Sequence, residues 1–148
     1  MGRGHRRVQV VARCIALALL FAVLFASSAG NADARFDYMM SCQGCHRDDG
    51  RGNPGNVPDL RGELGLLLAE PGGRRYLVQV PGSRNAAMDD AALAAVLNWM
   101  VPQFSAETMP AHFKPYSVDE VHRYRNEPVG DVAAERAKLM EDIDRHDR

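Results

Sequence analysis

The sequence predicts an all-α protein, a small helical domain with a C-terminal helical extension. The clearest helix spans Asp89–Val101, where an acidic cap precedes apolar residues spaced i, i+3, i+4 and i+7: Leu93, Val96, Leu97 and Met100. Pro102 is expected to end this helix. Further on, Ser117 and Glu120 have the spacing of a capping box, which starts a helix toward Asn126.

Other segments complete the predicted helices. Residues 36–40 read as a short helix, and Glu63–Glu70 reads as another that Pro71-Gly72-Gly73 stops. Arg74–Val80 is ambiguous, because its propensities alone also suit a strand. Near the end of the chain, Asp131 can cap a helix toward Arg145, with a narrow apolar stripe formed by Val132, Leu139 and Ile143.

Residues 1–32 have the composition of an export signal. Basic residues come first, and an apolar run from about Cys14 to Ala26 and a zone of small residues follow. We expect cleavage in that zone, which would release the mature protein into the periplasm. The alternative is a retained membrane anchor facing the periplasm, because Val8–Ala26 is nearly long enough to span a bilayer; Arg13 interrupts that run and favours cleavage.

The mature chain is acidic. Without residues 1–32 it has 14 basic and 19 acidic side chains, a net charge of −5. Such a surface is a poor nucleic-acid binder, so no nucleic-acid partner is expected, and it suits a partner with a basic face. Removal of the signal also removes Cys14, which leaves Cys42 and Cys45 as the remaining cysteines.

The segment Cys42-Gln43-Gly44-Cys45-His46 is the C-x-x-C-H signature of covalent haem attachment. Two thiols this close on a turn can add to the two vinyl groups along one edge of a porphyrin. The next residue, His46, is then carried beneath the macrocycle as the proximal iron ligand. The sequence therefore predicts one haem c, with its iron.

Two other uses of this cysteine pair fit less well. A thioredoxin-like redox pair follows a strand in a βαβ setting, whereas the segment before Cys42 reads as a short helix. A structural zinc site needs four ligands, and no second cysteine pair is present to join His46.

Around this motif the chain resembles the class I c-type cytochromes. Tyr38 matches an aromatic residue of that family's first helix, and residues 50–54 and 57–62 resemble its glycine-rich loop and Pro-x-Leu stretch. The resemblance implies that the Pro58 carbonyl accepts a hydrogen bond from His46, which would orient the ring and raise its basicity toward iron. Without the upstream motif, Pro58 would read as an ordinary loop proline.

The same resemblance has further implications. It implies a cytochrome c-like haem domain over residues 34–103, a helix at Arg74–Val80, and packing of Tyr38 against Trp99. It also implies a one-electron carrier with redox protein partners: a periplasmic dehydrogenase as donor and an oxidase or another cytochrome as acceptor. No catalytic nucleophile or acid–base pair is visible, so we expect no enzymatic activity.

The distal iron ligand departs from the family pattern. Class I cytochromes usually supply a methionine from the loop before the last core helix. Met88 is the methionine in that loop, but it lies directly against the helix start, where an apolar residue more often packs on the first helical turn. Met109 is followed by proline, as in the family, but lies after the helix; His112 is a nearby alternative. If none of them binds, the iron is five-coordinate, and a sensor, ligand-binding or peroxidase function becomes the alternative.

Residues 104–148 exceed what a minimal haem domain requires. They read either as a docking arm for a redox partner or as a strap that packs on the haem domain. The narrow apolar stripe of the last helix favours the strap.

Overall fold

The computed structural model describes residues 33–146 and Arg148. This part of the chain contains eight helices. This range contains no strand, only an isolated bridge between Asn53 and Val57, so the predicted all-α class is confirmed. Residues 34–148 form one unit. The predicted export signal, residues 1–32, lies outside the described residues. No helix within the described range is long and apolar enough to cross a membrane.

The helices follow one another along the chain with short connections, apart from a loop over residues 47–62 and a segment over residues 105–117. Their bounds are α1 (residues 33–41), α2 (Gln43–His46), α3 (Glu63–Ala69), α4 (Gly73–Gln79), α5 (Pro81–Arg84), α6 (Asp90–Phe104), α7 (Val118–Asn126) and α8 (Val132–His146). The ambiguous segment at Arg74–Val80 is therefore helical, as the family resemblance implies. The short helix α5 was not predicted.

Helix α6 contributes seven buried residues. Asp89 caps it, since its side chain accepts a hydrogen bond from the Ala92 amide at 2.8 Å. The predicted stripe is buried along its whole length: Leu93, Val96, Leu97 and Met100 all belong to the core cluster.

The predicted end of α6 at Pro102 is wrong. The helix continues to Phe104, with Pro102 inside its last turn, and the Ser105 amide still bonds to the Val101 carbonyl at 2.8 Å. A proline in the last turn costs one backbone hydrogen bond. Burial of Phe104, which is 9% exposed, favours the extra turn.

The capping box at the start of α7 forms only in part. Ser117 accepts from the Glu120 amide at 3.2 Å, as predicted. The Glu120 carboxylate lies near the Ser117 amide without forming a well-aligned bond to it, and instead binds the Arg74 guanidinium through two bonds of 2.8 and 2.7 Å. A bidentate pair with an arginine on a neighbouring helix is stronger than a local bond to a neutral amide.

The C-terminal helices pack against the rest of the unit. Helix α7 contacts α4 and α6, and α8 contacts α3 and α4. Leu139 and Ile143 of the predicted stripe are buried, and Val132 packs against the same core. Asp131 caps α8 by accepting from the amides of Ala133 and Ala134. This packing is that of a strap.

Candidate haem site

The C-x-x-C-H motif occupies a single turn at the end of α1. The Cys42 amide bonds to the Tyr38 carbonyl at 2.8 Å, and the His46 amide bonds to the Cys42 carbonyl at 2.9 Å. The Tyr38 hydroxyl donates to the carbonyl of Arg47 at 2.6 Å. Arg47 has a positive φ of 56°, an uncommon conformation for a residue with a side chain, and this bond helps to hold it. Tyr38 thus fixes both ends of the turn.

Both cysteines and His46 line a cavity of about 240 Å³ whose remaining walls are mostly apolar. The apolar walls come from the loop before α3 and from α3, α4 and α6, through Leu60, Leu64, Leu67, Leu77, Leu97 and Met100. Cys42 is half-buried and Cys45 is exposed. Two thiols on one turn beside an apolar cleft provide what a covalently attached, largely apolar macrocycle requires.

The imidazole of His46 faces inward. Burial lowers its pKa, and the Pro58 carbonyl opposes this shift by favouring the protonated ring. Nδ1 is buried, and no partner among the described residues meets strict hydrogen-bond geometry with it. The Pro58 carbonyl is thus close enough to act on the ring without forming a well-aligned bond. An imidazole held in the wall of this cavity has the chemistry of an iron ligand.

Gly52 allows the loop to bring Pro58 to this position. A Cβ atom at residue 52 would lie 2.1 Å from the Val57 carbonyl oxygen and 2.4 Å from that of Pro58. The Asn53 amide bonds to Val57 at 2.9 Å, and the Leu60 amide bonds to Gly50 at 2.9 Å. The two arms of the loop therefore touch through backbone atoms alone, which explains the glycine.

The geometry weighs against the two other uses of the cysteine pair. Burial, with the charges of Asp37 and Cys45, raises the pKa of Cys42 to about 11, whereas a redox-active thiol needs a lowered pKa. No strand precedes the motif within the described residues. No group of three or more His, Cys, Asp or Glu side chains could hold a metal ion in that same range.

Three aromatic rings pack together behind the attachment turn. The ring centroids of Tyr38 and Trp99 are 5.3 Å apart, so the predicted contact is confirmed. Phe104 completes the cluster, at 5.2 Å from Tyr38 and 5.5 Å from Trp99. Separations of this size with tilted or edge-on rings are favourable aromatic geometries. Sequence reasoning missed Phe104 because it ended α6 at Pro102.

The structure does not bring the two predicted distal methionines into the cavity. Met88 packs partly buried against the core cluster, and Met109 is 36% exposed; neither lines the cavity, and nor does His112, which is exposed. Met100 does line it, although the sequence assigned Met100 to the core stripe.

The C-terminal extension contributes a side chain to the cavity wall. Arg136 of α8 lines the cavity together with Glu63 and Tyr76, and its guanidinium donates to the Glu63 carboxylate at 2.6 Å. Sequence reasoning did not assign Arg136 to the site, because this residue lies outside the apolar stripe predicted for α8. The signal that sequence reasoning missed is the opposite charge of Arg136 on α8 and Glu63 at the start of α3.

Fold and site together define a small all-α protein built to hold one covalent haem, and comparison with known proteins agrees: the chain belongs to the c-type cytochromes. It is 32% identical to a cytochrome c-552 from one strain of Thermus thermophilus, over 82% of this chain and 95% of that protein. It is 34% identical to a further cytochrome c-552 from Thermus thermophilus, over 66% of this chain and 90% of that protein. No protein-family profile matches the chain.

Membership of this family establishes the cofactor and the general function. The chain binds haem c covalently, with its iron. It is an electron carrier that works with redox protein partners.

Proposed function

We propose that this cytochrome is a periplasmic one-electron carrier, which takes electrons from a periplasmic dehydrogenase and passes them toward a respiratory chain. The observation that carries the proposal is the C-x-x-C-H turn, which opens onto an apolar cavity with both cysteines and His46 in its wall. When bound, haem c supplies a reversible Fe(III)/Fe(II) couple.

In this proposal the attachment turn holds the haem at three points. Cys42 and Cys45 form the two thioethers, and His46 is the proximal iron ligand. Pro58 acts on His46 through its carbonyl, which would orient the ring and raise its basicity toward iron. The aromatic cluster behind the turn keeps these groups in place, since Tyr38 is 1% exposed and bonds to the turn directly.

The surface beside the exposed Cys45 is the proposed port for electrons. The apolar side chains of Phe36, Met39 and Met40 are exposed on α1, next to the attachment turn. Exposed apolar side chains grouped in this way indicate a contact surface, and a small one suits a transient encounter. The net charge of −5 for the mature chain favours a donor with a basic docking face.

The proposal is tested with holoprotein matured in a strain that exports proteins and ligates haem. Spectroelectrochemistry should give one reversible one-electron couple, and stopped-flow mixing with a reduced periplasmic dehydrogenase should give rapid reduction that slows as salt is added. A matched variant, Met40→Gln, should slow this reduction and leave the midpoint potential unchanged. An irreversible couple would contradict the carrier function. Equal reduction rates for the variant and the wild type would contradict the port.

A further inference from the structure

The loop between α5 and α6 is held by one arginine of the C-terminal extension. Arg125 of α7 donates through Nη1 to the Met88 carbonyl at 2.9 Å and to the Asp90 carboxylate at 2.9 Å. Through Nη2 it donates to the carbonyls of Ala86 at 2.9 Å and Ser83 at 3.3 Å. Its side chain is only 14% exposed, so these bonds are largely protected from water.

Further contacts join the segment from the end of α4 to the start of α6 with α7 and with Glu127, which follows α7. The Arg84 guanidinium donates to the Glu127 carbonyl at 3.1 Å, and the Gln79 amide donates to the Tyr124 carbonyl at 3.0 Å. His122 contacts the Asp90 carboxylate at 2.8 Å. The chain from the end of α4 to the start of α6 is therefore tied to α7 at several points.

This arrangement holds the backbone at Met88. Its carbonyl is bound by Arg125, and its side chain packs against the core cluster rather than into the cavity. Where this region reaches the cavity, the lining consists of Val80, Pro81, Gly82 and Ser83. None of these four side chains is a thioether, imidazole or amine, the groups that bind iron strongly in haem proteins.

Met100 is the remaining methionine of the cavity wall, and its helix limits what it can do. It lies on the buried stripe of α6 beside Leu97, and both belong to the core cluster. Trp99 and Phe104 of the same helix pack on Tyr38 of α1. Helix α6 is thus fixed against the helix that leads into the attachment turn, and Met100 serves as apolar wall on that side.

We propose that Arg125 holds the α5–α6 loop in a position that leaves the sixth coordination position of the iron without a protein ligand, so that the reduced protein binds a small neutral diatomic molecule there. This inference rests on haem attachment at Cys42, Cys45 and His46, and it adds ligand binding to the carrier function. The C-terminal extension would then set the coordination state of the iron as well as packing on the core.

The first test is spectroscopic and uses the holoprotein with carbon monoxide as the probe. Resonance Raman and magnetic circular dichroism of the reduced wild type should show a five-coordinate high-spin iron, and titration should give one carbon monoxide per haem. Met88→Leu, Met109→Leu and Met100→Leu should all keep the wild-type spectrum. A low-spin, six-coordinate wild type would overturn the proposal, and loss of that signal in one variant would identify the methionine responsible.

The second test removes the hydrogen bonds by which Arg125 holds the α5–α6 loop. Arg125→Gln removes the guanidinium, and we expect Met88 then to bind the iron in part of the protein, which gives a low-spin fraction. The double variant Arg125→Gln/Met88→Leu should lack that fraction. Arg123→Gln is the matched control, because Arg123 lies on the same helix with its side chain 61% exposed and should leave the spin state unchanged. An unchanged high-spin spectrum in Arg125→Gln would show that Arg125 does not control coordination.

These outcomes are separable from failure of the proposed function. A six-coordinate spectrum would remove the ligand site and leave a working electron carrier. Protein without covalent pigment would instead remove the basis of both proposals.

Discussion

Replacement of Gly52 by alanine tests how the loop holds Pro58 near His46. Gly52 has no positive φ, so alanine can adopt its backbone conformation and any effect must come from the added methyl group. That methyl group would lie 2.1 Å from the Val57 oxygen, well under the 3.4 Å at which ordinary contact begins. The atoms it meets are backbone, which cannot rotate away as a flexible side chain would.

The loop must therefore open, and the expected cost follows from what it loses. Overpacking of a tight site costs about 1–3 kcal/mol, and a weakened Asn53–Val57 or Gly50–Leu60 hydrogen bond adds about 1 kcal/mol. We expect the free energy of unfolding to fall by about 2–4 kcal/mol. We also expect a higher midpoint potential, because a Pro58 carbonyl that moves away from the His46 ring leaves the imidazole less basic and a weaker donor to Fe(III).

Guanidinium denaturation of the holoprotein measures the first effect, and spectroelectrochemistry measures the second. Gly130→Ala is the control, because a Cβ atom there meets nothing within 4 Å. If Gly52→Ala matched Gly130→Ala in both stability and potential, the loop contact would have no role in positioning Pro58.

Three further substitutions test the packing and the polar contacts that support the site. Phe104→Ala should lower the free energy of unfolding by about 3 kcal/mol by opening a cavity in the aromatic cluster; calorimetry that finds less than about 1 kcal/mol would contradict the packing described. Ser105→Ala should cost about 1–2 kcal/mol in chemical denaturation, because the buried Leu60 carbonyl loses its 2.8 Å hydroxyl donor; a neutral result would mean that another donor replaces it. Glu120→Gln should cost about 1 kcal/mol at pH 7, since the pair is partly exposed. Arg74 holds the pKa of the Glu120 carboxyl below its ordinary 4.5, so this stabilisation is complete above that pH and is lost as pH falls through the lowered pKa. The two proteins should therefore converge in denaturation curves taken in acid, and a difference that persists there would refute the ion-pair explanation.

The local helix signals of the sequence were sufficient for most of the fold. The stripe of α6 and the cap at Asp89 depend on residues within a few positions of one another, so periodicity and capping chemistry predict them directly. The contact between Tyr38 and Trp99 needed the family resemblance, because the two residues are far apart in sequence.

The failures have a common physical origin in contacts between distant segments. Local rules end α6 at Pro102, but burial of Phe104 against Tyr38 extends it. Local rules predict that the Glu120 carboxylate bonds to the Ser117 amide, but its two well-aligned bonds go to Arg74 of α4. A single sequence carries no direct signal for partners that the fold brings together from forty or more residues away.

In the candidate site, too, local spacing was predicted from the sequence and contacts between distant segments were not. The spacing of Cys42, Cys45 and His46 follows from haem chemistry, and the structure places all three in the wall of one cavity. The position of Met88 depends on Arg125, thirty-seven residues further along the chain, and Arg136 reaches the cavity from α8. Neither relation is visible until the C-terminal helices have been placed on the core.

The central claim is covalent haem attachment at Cys42 and Cys45, and its most direct test measures the colour of the extracted protein and the mass of the peptide that contains this turn. Protein matured in a haem-ligating export strain should keep its red pigment in acidified acetone, and the tryptic fragment containing residues 42–46 should be heavier by the mass of one haem. Cys42→Ala/Cys45→Ala protein should yield no such fragment. A colourless wild type, or pigment that moves entirely into the acetone, would contradict attachment at this turn.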